Sequence, residues 1–156
     1  IEYDIQYQGD NLNSMSEGKK SFVILRLLLD FSKNNYPILI DQPEDDLDNR
    51  AIYHELVQYL RDKKGVRQII LVTHNPNIVV GADAEEVIVA NQNGIHNENP
   101  ESKKFCYRTG ALEESFNNEK QECILYQYGI REHVCEILEG GKDAFRIREQ
   151  KYNLSE

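Results

Sequence analysis

Four short segments carry residue types that could bind a nucleotide and a metal ion. The first is Ser16-Glu17-Gly18-Lys19, at the head of a predicted helix. A serine hydroxyl, a glycine backbone and the free N–H groups of a helix N-terminus attract anions such as phosphate. The plainer interpretation of Ser16 is an ordinary helix cap, and the Ser14-x-x-Glu17 pattern has the form of a capping box. Ser16 is therefore either a phosphate ligand or an ordinary helix cap.

The second and third segments place acids after an apolar run. Ile38-Leu39-Ile40-Asp41 predicts a strand buried on both faces, with Asp41 at its C-terminal edge. Ligands bind at that edge of open α/β sheets, and a carboxylate there can hold Mg²⁺ through water. The following seven residues, Gln42 to Asp48, include four acids. Their mutual repulsion favours a nearby cation, although a solvated acidic turn is the plainer alternative.

The fourth segment ends a second apolar run. Gln68 to Thr73 predicts a buried strand, and His74 follows it directly. If this strand lies beside the first, the imidazole of His74 lies close to Asp41. A lone histidine is more often structural than catalytic. The predicted position beside Asp41 is what makes His74 a candidate site residue.

Periodicity and breakers predict the elements that position these segments. A strand, a helix and a strand with so long a connection indicate a right-handed parallel crossover. A polar loop at 97–104 then leads to further elements. The predicted elements are a helix from Ser14 to about Asn34, strands at 37–41, 68–73 and 86–90, helices ending near Lys64 and at 76–80, an edge strand at 105–108, and helical segments from Glu119 and at 143–151. We therefore predict an α/β domain over 1–96 and a C-terminal strand and helical extension over 97–156.

Composition sets limits on partners and compartment. The 156 residues are 40% hydrophobic and 29% charged, with a net charge of -9, which argues against this chain being the main surface that grips DNA. No apolar run reaches the ~18 residues of a membrane span. Cys106, Cys123 and Cys135 form no CxxC pair and read as reduced thiols, so a cytoplasmic location is expected.

Together the four segments resemble the ABC ATPase superfamily, and especially its SMC/RecN-like branch. The resemblance covers about residues 12–95, including a strand and turn at 82–94. Ser16 to Lys19 resembles the signature motif, Ile38 to Asp41 resembles Walker B, Leu47-Asp48 resembles the end of the D-loop, and His74 resembles the switch histidine.

The resemblance implies a partial P-loop NTPase fold with a mainly parallel sheet and flanking helices, with ATP and Mg²⁺ as cofactors. It implies heads that pair around two ATP molecules, with Ser16, Gly18 and Lys19 reaching the γ-phosphate bound by the partner. Asp48 would contact that second protomer.

For the chemistry, the resemblance implies that Asp41 orders Mg²⁺, that Gln42 or Glu44 positions the attacking water, and that His74 senses the γ-phosphate. The family usually has a glutamate general base where this chain has Gln42, and an amide cannot accept a proton. Glu44 could supply the base instead. We therefore expect slow hydrolysis, with ATP acting as a dimer clamp.

The chain contains no G-x-x-x-x-G-K-[ST] loop, so the Walker A residues are expected upstream. It also begins with Ile1, and we expect the C-terminal half of a longer ATPase head that is inactive without its N-terminal half. SMC-like heads often serve DNA repair or defence, and contact with nucleic acid is expected only through the full-length protein.

A narrower resemblance involves ATPases associated with PHP-type phosphoesterases (TrlF-like). It rests on the string from Asp41 to Arg50 and on the tail segments 137–141 and 148–152.

Three alternatives remain open from the sequence. The chain could be a non-catalytic, nucleotide-dependent dimerisation module in which Gln42 marks lost chemistry. It could be a Toprim-like or receiver-like domain in which Asp41, Asp45 and Asp46 bind metal directly. It could also be a nuclease, although no second cluster of metal ligands stands out.

Overall fold

A computed structural model describes residues 4–31, 35–47 and 55–139. The chain divides into two compact units, Ile1–His74 and Asn75–Glu156. Over the described residues the fold is mixed α/β, with five α-helices and three two-stranded sheets. None of the helices in this part of the chain is both long enough and apolar enough to cross a membrane.

The first unit opens with a small antiparallel pair, β1 (Gln6–Tyr7) and β2 (Asp10–Asn11). Gln8 and Gly9 join the two strands, with φ of 53° and 87°. Positive φ at both residues of a two-residue loop matches the twist of a tight hairpin, and glycine adopts it without steric cost. Residues 6–11 thus form a hairpin that leads to a 3-10 turn at Leu12–Ser14.

Helix α1 spans Glu17–Phe31. Phe22 and Val23 are buried, and Phe22 packs edge-on against Tyr7, with ring centroids 6.2 Å apart. Leu28 and Phe31 are 69% and 78% exposed. The apolar sequence at 22–31 predicts a helix buried on most faces. This expectation is wrong, because the described neighbours of α1 cover only one of its faces.

Strands β3 (Ile38–Asp41) and β4 (Ile69–Val72) pair in parallel, as the long connection predicts. Ile40 is buried, whereas Leu39 is 68% exposed. Successive side chains of a strand point to opposite faces, so one face of this pair is covered and the other is open. The prediction of a strand buried on both faces fails for this reason.

Helix α2 (Val57–Lys64) follows the undescribed residues 48–54 and contacts β4. A polar cluster joins it to α1: Asp30 accepts from Tyr59 Oη at 3.1 Å and pairs with Lys63 at 2.9 Å. Burial and the neighbouring Asp30 carboxylate raise the pKa of Tyr59 to about 12. Tyr59 therefore stays protonated and acts as a donor at physiological pH.

The second unit begins with a short helix, α3 (Pro76–Gly81), capped by the Asn75 side chain. Strands β5 (Val87–Gln92) and β6 (Phe105–Gly110) form an antiparallel pair across a loop with a 3-10 turn. Helices α4 (Ile124–Gln127) and α5 (Ile130–Glu139) follow, and α5 contacts both α3 and β5. The buried side chains of this unit include Ile78, Cys123, Leu125, Ile130 and Val134.

Candidate functional site

The register of β3 and β4 brings the segment that follows Asp41 and the segment that follows Val72 to one edge of the sheet. Asp41 lies opposite Val72, and the N–H of Gln42 donates to Val72 O at 2.8 Å. Parallel strands end at the same side of a sheet. The residues that follow Asp41 therefore lie beside Thr73 and His74, which follow Val72.

A change of backbone conformation after β3 turns Glu44 inward. Gln42 has a left-handed backbone, with φ 44° and ψ 56°, and the 3-10 turn Pro43–Asp46 begins directly after it. Proline suits the first position of such a turn, because its φ is already fixed and it needs no N–H partner. The side chain of Glu44 is only 4% exposed, whereas Asp41 and Asp45 are exposed.

One carboxylate oxygen of Glu44 joins the two strand ends. Oε1 accepts from Thr73 Oγ1 at 2.5 Å and from the backbone N–H of His74 at 2.8 Å. The ring Nδ1 of His74 lies 3.1 Å from the same oxygen. Oε2 of Glu44 is buried and has no hydrogen-bond partner among the described residues. Glu44 thus links the end of β3 to the two residues that follow β4.

Opposing effects set the pKa of Glu44. Burial pushes it upward, but the hydroxyl of Thr73, the backbone N–H groups and the attraction of His74 together hold the pKa of Glu44 below its usual value. Hydrogen bonds to a charged form favour that form. Glu44 is therefore an ionised carboxylate at neutral pH.

This lowered pKa predicts a stability contribution that depends on pH. A carboxyl with a lower pKa in the folded state stabilises the fold above its unfolded pKa of about 4.3, and the stabilisation disappears as pH falls through the folded pKa. We expect Glu44→Gln to lower the free energy of unfolding at pH 7 and to lower it less at an acidic pH below the unfolded pKa. Urea unfolding at both pH values measures the difference. Asp45→Asn, which leaves Glu44 in place, should keep the wild-type pH dependence, and an equal loss from Glu44→Gln at both pH values would contradict the assignment.

His74 presents most of its ring to solvent. Its side chain is 66% exposed although Nδ1 faces the buried Glu44. The remaining ring nitrogen, Nε2, lies on the other side of the imidazole. The site therefore places a largely exposed imidazole ring beside a buried, ionised carboxylate.

The signature-like residues begin helix α1. The N–H of Lys19 donates to Ser16 Oγ at 3.3 Å, which is an N-cap hydrogen bond. Lys19 Nζ pairs with Asp10 at 3.0 Å, and Gly18 lies in the first turn. These described contacts stay near the helix N-terminus and do not join Ser16 to Glu44 or His74. Asp48, the D-loop candidate, lies outside the described residues, as do 140–156 and with them most of the tail of the narrower resemblance.

The shared edge of β3 and β4 offers few protein ligands for Mg²⁺. Within residues 4–31, 35–47 and 55–139, no group of three or more His, Cys, Asp or Glu side chains could hold a metal ion. Asp41 contributes one exposed carboxylate at the end of β3. Mg²⁺ usually keeps several waters and takes one or two carboxylates together with substrate phosphates. Asp41 fits that mode, in which the nucleotide supplies the other ligands.

Sequence reasoning missed Thr73 as a member of this site. Its hydroxyl contacts Glu44 across 29 positions of sequence. The available signal was a hydroxyl residue between a buried strand and a candidate histidine, on the strand predicted to lie beside Asp41.

No protein-family model matches the sequence, and no curated protein matches it significantly. Among solved structures, the chain is similar to an SMC ATPase studied for ATP-driven dimerisation and DNA-stimulated activation. The TM-score is 0.47 and the identity 15%, over 65% of this chain and 56% of that one. The likeness thus spans little more than half of that chain, and so remote a match assigns no family.

Proposed function

We propose that this chain is the C-terminal half of an ATPase head of the ABC type, SMC/RecN-like, which binds ATP between two protomers and hydrolyses it slowly. The observation that carries the proposal is the shared edge of β3 and β4, where Asp41, Glu44 and His74 follow paired parallel strands. Ligand sites of α/β proteins lie at this edge.

The residues at the edge suit phosphoryl transfer, in which an enzyme mainly positions groups and stabilises charge. Asp41 would hold Mg²⁺ through water, and the ion would offset charge on the phosphates. Gln42, next to Asp41, would orient a water by hydrogen bonds from its amide. Ser16 and Gly18 would meet the γ-phosphate held by the second protomer.

The open face of the parallel pair supports a further layer of structure packed against it. Leu39, Ile70 and Val72 are 68%, 47% and 49% exposed on one face. Parallel sheets in proteins are covered on both faces. We propose that the N-terminal half of the head, with its Walker A loop, covers this face and completes a P-loop fold.

ATP, the N-terminal half and a second protomer are thus the proposed partners. The net charge of -9 supports nucleic-acid contact through other parts of the full-length protein rather than through this chain. Roles in DNA repair or defence, and the link to PHP-type phosphoesterases, remain hypotheses that rest on the resemblance.

A non-catalytic dimerisation module is the second candidate. Gln42 provides no carboxylate, and Oε1 of Glu44 already accepts from Thr73 and His74. Neither residue therefore presents an exposed carboxylate to a water in this arrangement. ATP-driven dimerisation without turnover would favour this candidate over the ATPase.

Asp41→Asn tests the proposed ATPase. In a polypeptide that joins this chain to its Walker A half, we expect this variant to lower kcat about 100-fold or more, since charge stabilisation by a bound metal contributes several kcal/mol. ATP turnover at saturating Mg²⁺ measures the effect. Asp45→Asn alters an exposed acid of the same turn and should keep wild-type turnover. Equal rates for Asp41→Asn and wild type would contradict the role of Asp41.

A further inference from the structure

We propose that Glu44 is a positioning residue that fixes His74 as the Nδ1–H tautomer, and that Nε2 of His74 accepts the proton of the attacking water. The proton step rests on the proposed ATPase function. The tautomer assignment rests on the geometry alone.

Glu44 cannot itself reach a water in this arrangement. Its side chain is 4% exposed, and Oε2 is buried without a partner among the described residues. Oε1 already accepts from Thr73 and His74. A general base must lie within hydrogen-bond distance of the proton that it removes. The carboxylate of Glu44 instead accepts hydrogen bonds from Thr73 and His74.

The same contacts determine which nitrogen of His74 carries hydrogen. Because an ionised carboxylate only accepts hydrogen bonds, the approach of Nδ1 to within 3.1 Å of Oε1 of Glu44 favours hydrogen on Nδ1. In a neutral imidazole, one nitrogen carries hydrogen and the other has a free lone pair. Nε2 of neutral His74 is therefore an acceptor on an exposed ring.

This assignment separates two roles for His74. A sensor of the γ-phosphate must donate a hydrogen bond from Nε2, because phosphate oxygens are acceptors. A neutral ring with hydrogen on Nδ1 cannot do so. Its Nε2 can take a proton from water, which the amide of Gln42 cannot do.

The proton step then balances. An O–H bond of water breaks and its proton moves to Nε2 of His74. The oxygen lone pair forms a bond to the γ-phosphorus, and the bond from that phosphorus to the bridging oxygen breaks, with its electron pair leaving on ADP. The carboxylate of Glu44, beside Nδ1, stabilises the imidazolium, which afterwards releases its proton to solvent.

Ring ¹⁵N–¹H correlation spectra of this chain test the tautomer. At about pH 9, where imidazoles are neutral, we expect hydrogen on Nδ1 of His74, and the exposed His96 serves as an internal reference. Glu44→Leu should remove the preference for Nδ1–H, and Asp45→Ala should keep it. A wild-type His74 with hydrogen mainly on Nε2 would overturn the proposal. Backbone amide spectra report whether each variant is folded.

A double-mutant cycle on ATP turnover tests the proton step in the polypeptide that includes the Walker A half. We expect His74→Ala to lower kcat by about 10²–10⁴-fold, the usual contribution of a general base. Glu44→Gln should lower kcat with little change in KM, and it should add nothing once His74 is alanine, because it acts through that ring. Losses that multiply would show an independent role for Glu44 and overturn the positioning assignment.

The two experiments fail separately. If the wild-type polypeptide shows no turnover, the proposed ATPase function and the proton step are both overturned. The spectra would still establish or reject the pairing of His74 with Glu44.

Discussion

Ser16→Arg is expected to abolish ATP-driven dimerisation of the full-length polypeptide while leaving ATP binding nearly intact. Ser16 is exposed at the N-terminus of α1, so an arginine fits there without entering the core. In the proposed head, this position meets the nucleotide held by the other protomer. A long side chain there blocks the interface but does not touch the ATP bound by the protomer's own Walker A loop.

The fold should survive this substitution. Loss of the hydrogen bond from Lys19 N–H to Ser16 Oγ removes a helix cap, which costs about 1 kcal/mol. A positive charge near a helix N-terminus is unfavourable and lowers the stability by a further ~0.3–1 kcal/mol. Light scattering of the polypeptide with and without ATP measures dimerisation, and equilibrium binding of a fluorescent ATP analogue measures affinity. Ser14→Arg, two residues earlier and also exposed, is the matched control and should still dimerise. Parallel loss of dimerisation and ATP binding would refute contact across the interface.

The backbone of the candidate site could be predicted because local patterns and connection length agree. The apolar runs ending at Asp41 and before His74 become β3 and β4, and their parallel pairing follows from the long connection. Side-chain period then places Asp41 at the shared edge. These features depend on the residue pattern within each segment and on the length of the connection, and both can be read from one sequence.

The role of Glu44 could not be predicted in the same way. Its burial depends on the left-handed backbone of Gln42 and the 3-10 turn that follows. Nothing in the acidic string distinguishes Glu44 from Asp45, yet one is buried and the other exposed. Hydrogen bonds between residues 29 and 30 positions apart make the difference, and such pairings become visible only once the strands are aligned.

The burial of α1 is a case in which the sequence predicts more contacts than the structure shows. Its apolar sequence predicts contacts on most faces, whereas the described neighbours cover the side that carries Phe22. The sequence reports how much surface a helix can bury and not which neighbour buries it. Under the proposed function, the exposed Leu28 and Phe31 lie on a face that the proposed N-terminal half of the head would cover.

Phe22→Ala is expected to be among the most destabilising substitutions in the first unit, at about 3–5 kcal/mol. Phe22 is 1% exposed and packs edge-on against Tyr7. Its truncation leaves a cavity and removes an aromatic pair, which itself contributes about 0.5–1.5 kcal/mol. Because the chain has two compact units, native-state hydrogen exchange of amides in β3 and β4 is a better measure than a global transition.

Phe31→Ala provides a control of the same residue type on the same helix. Phe31 is 78% exposed, so its truncation should change stability by no more than about 0.5 kcal/mol. A large contrast between the two variants would place the hydrophobic contacts of α1 on the Phe22 side of the isolated chain. Equal losses would contradict this placement of the hydrophobic contacts.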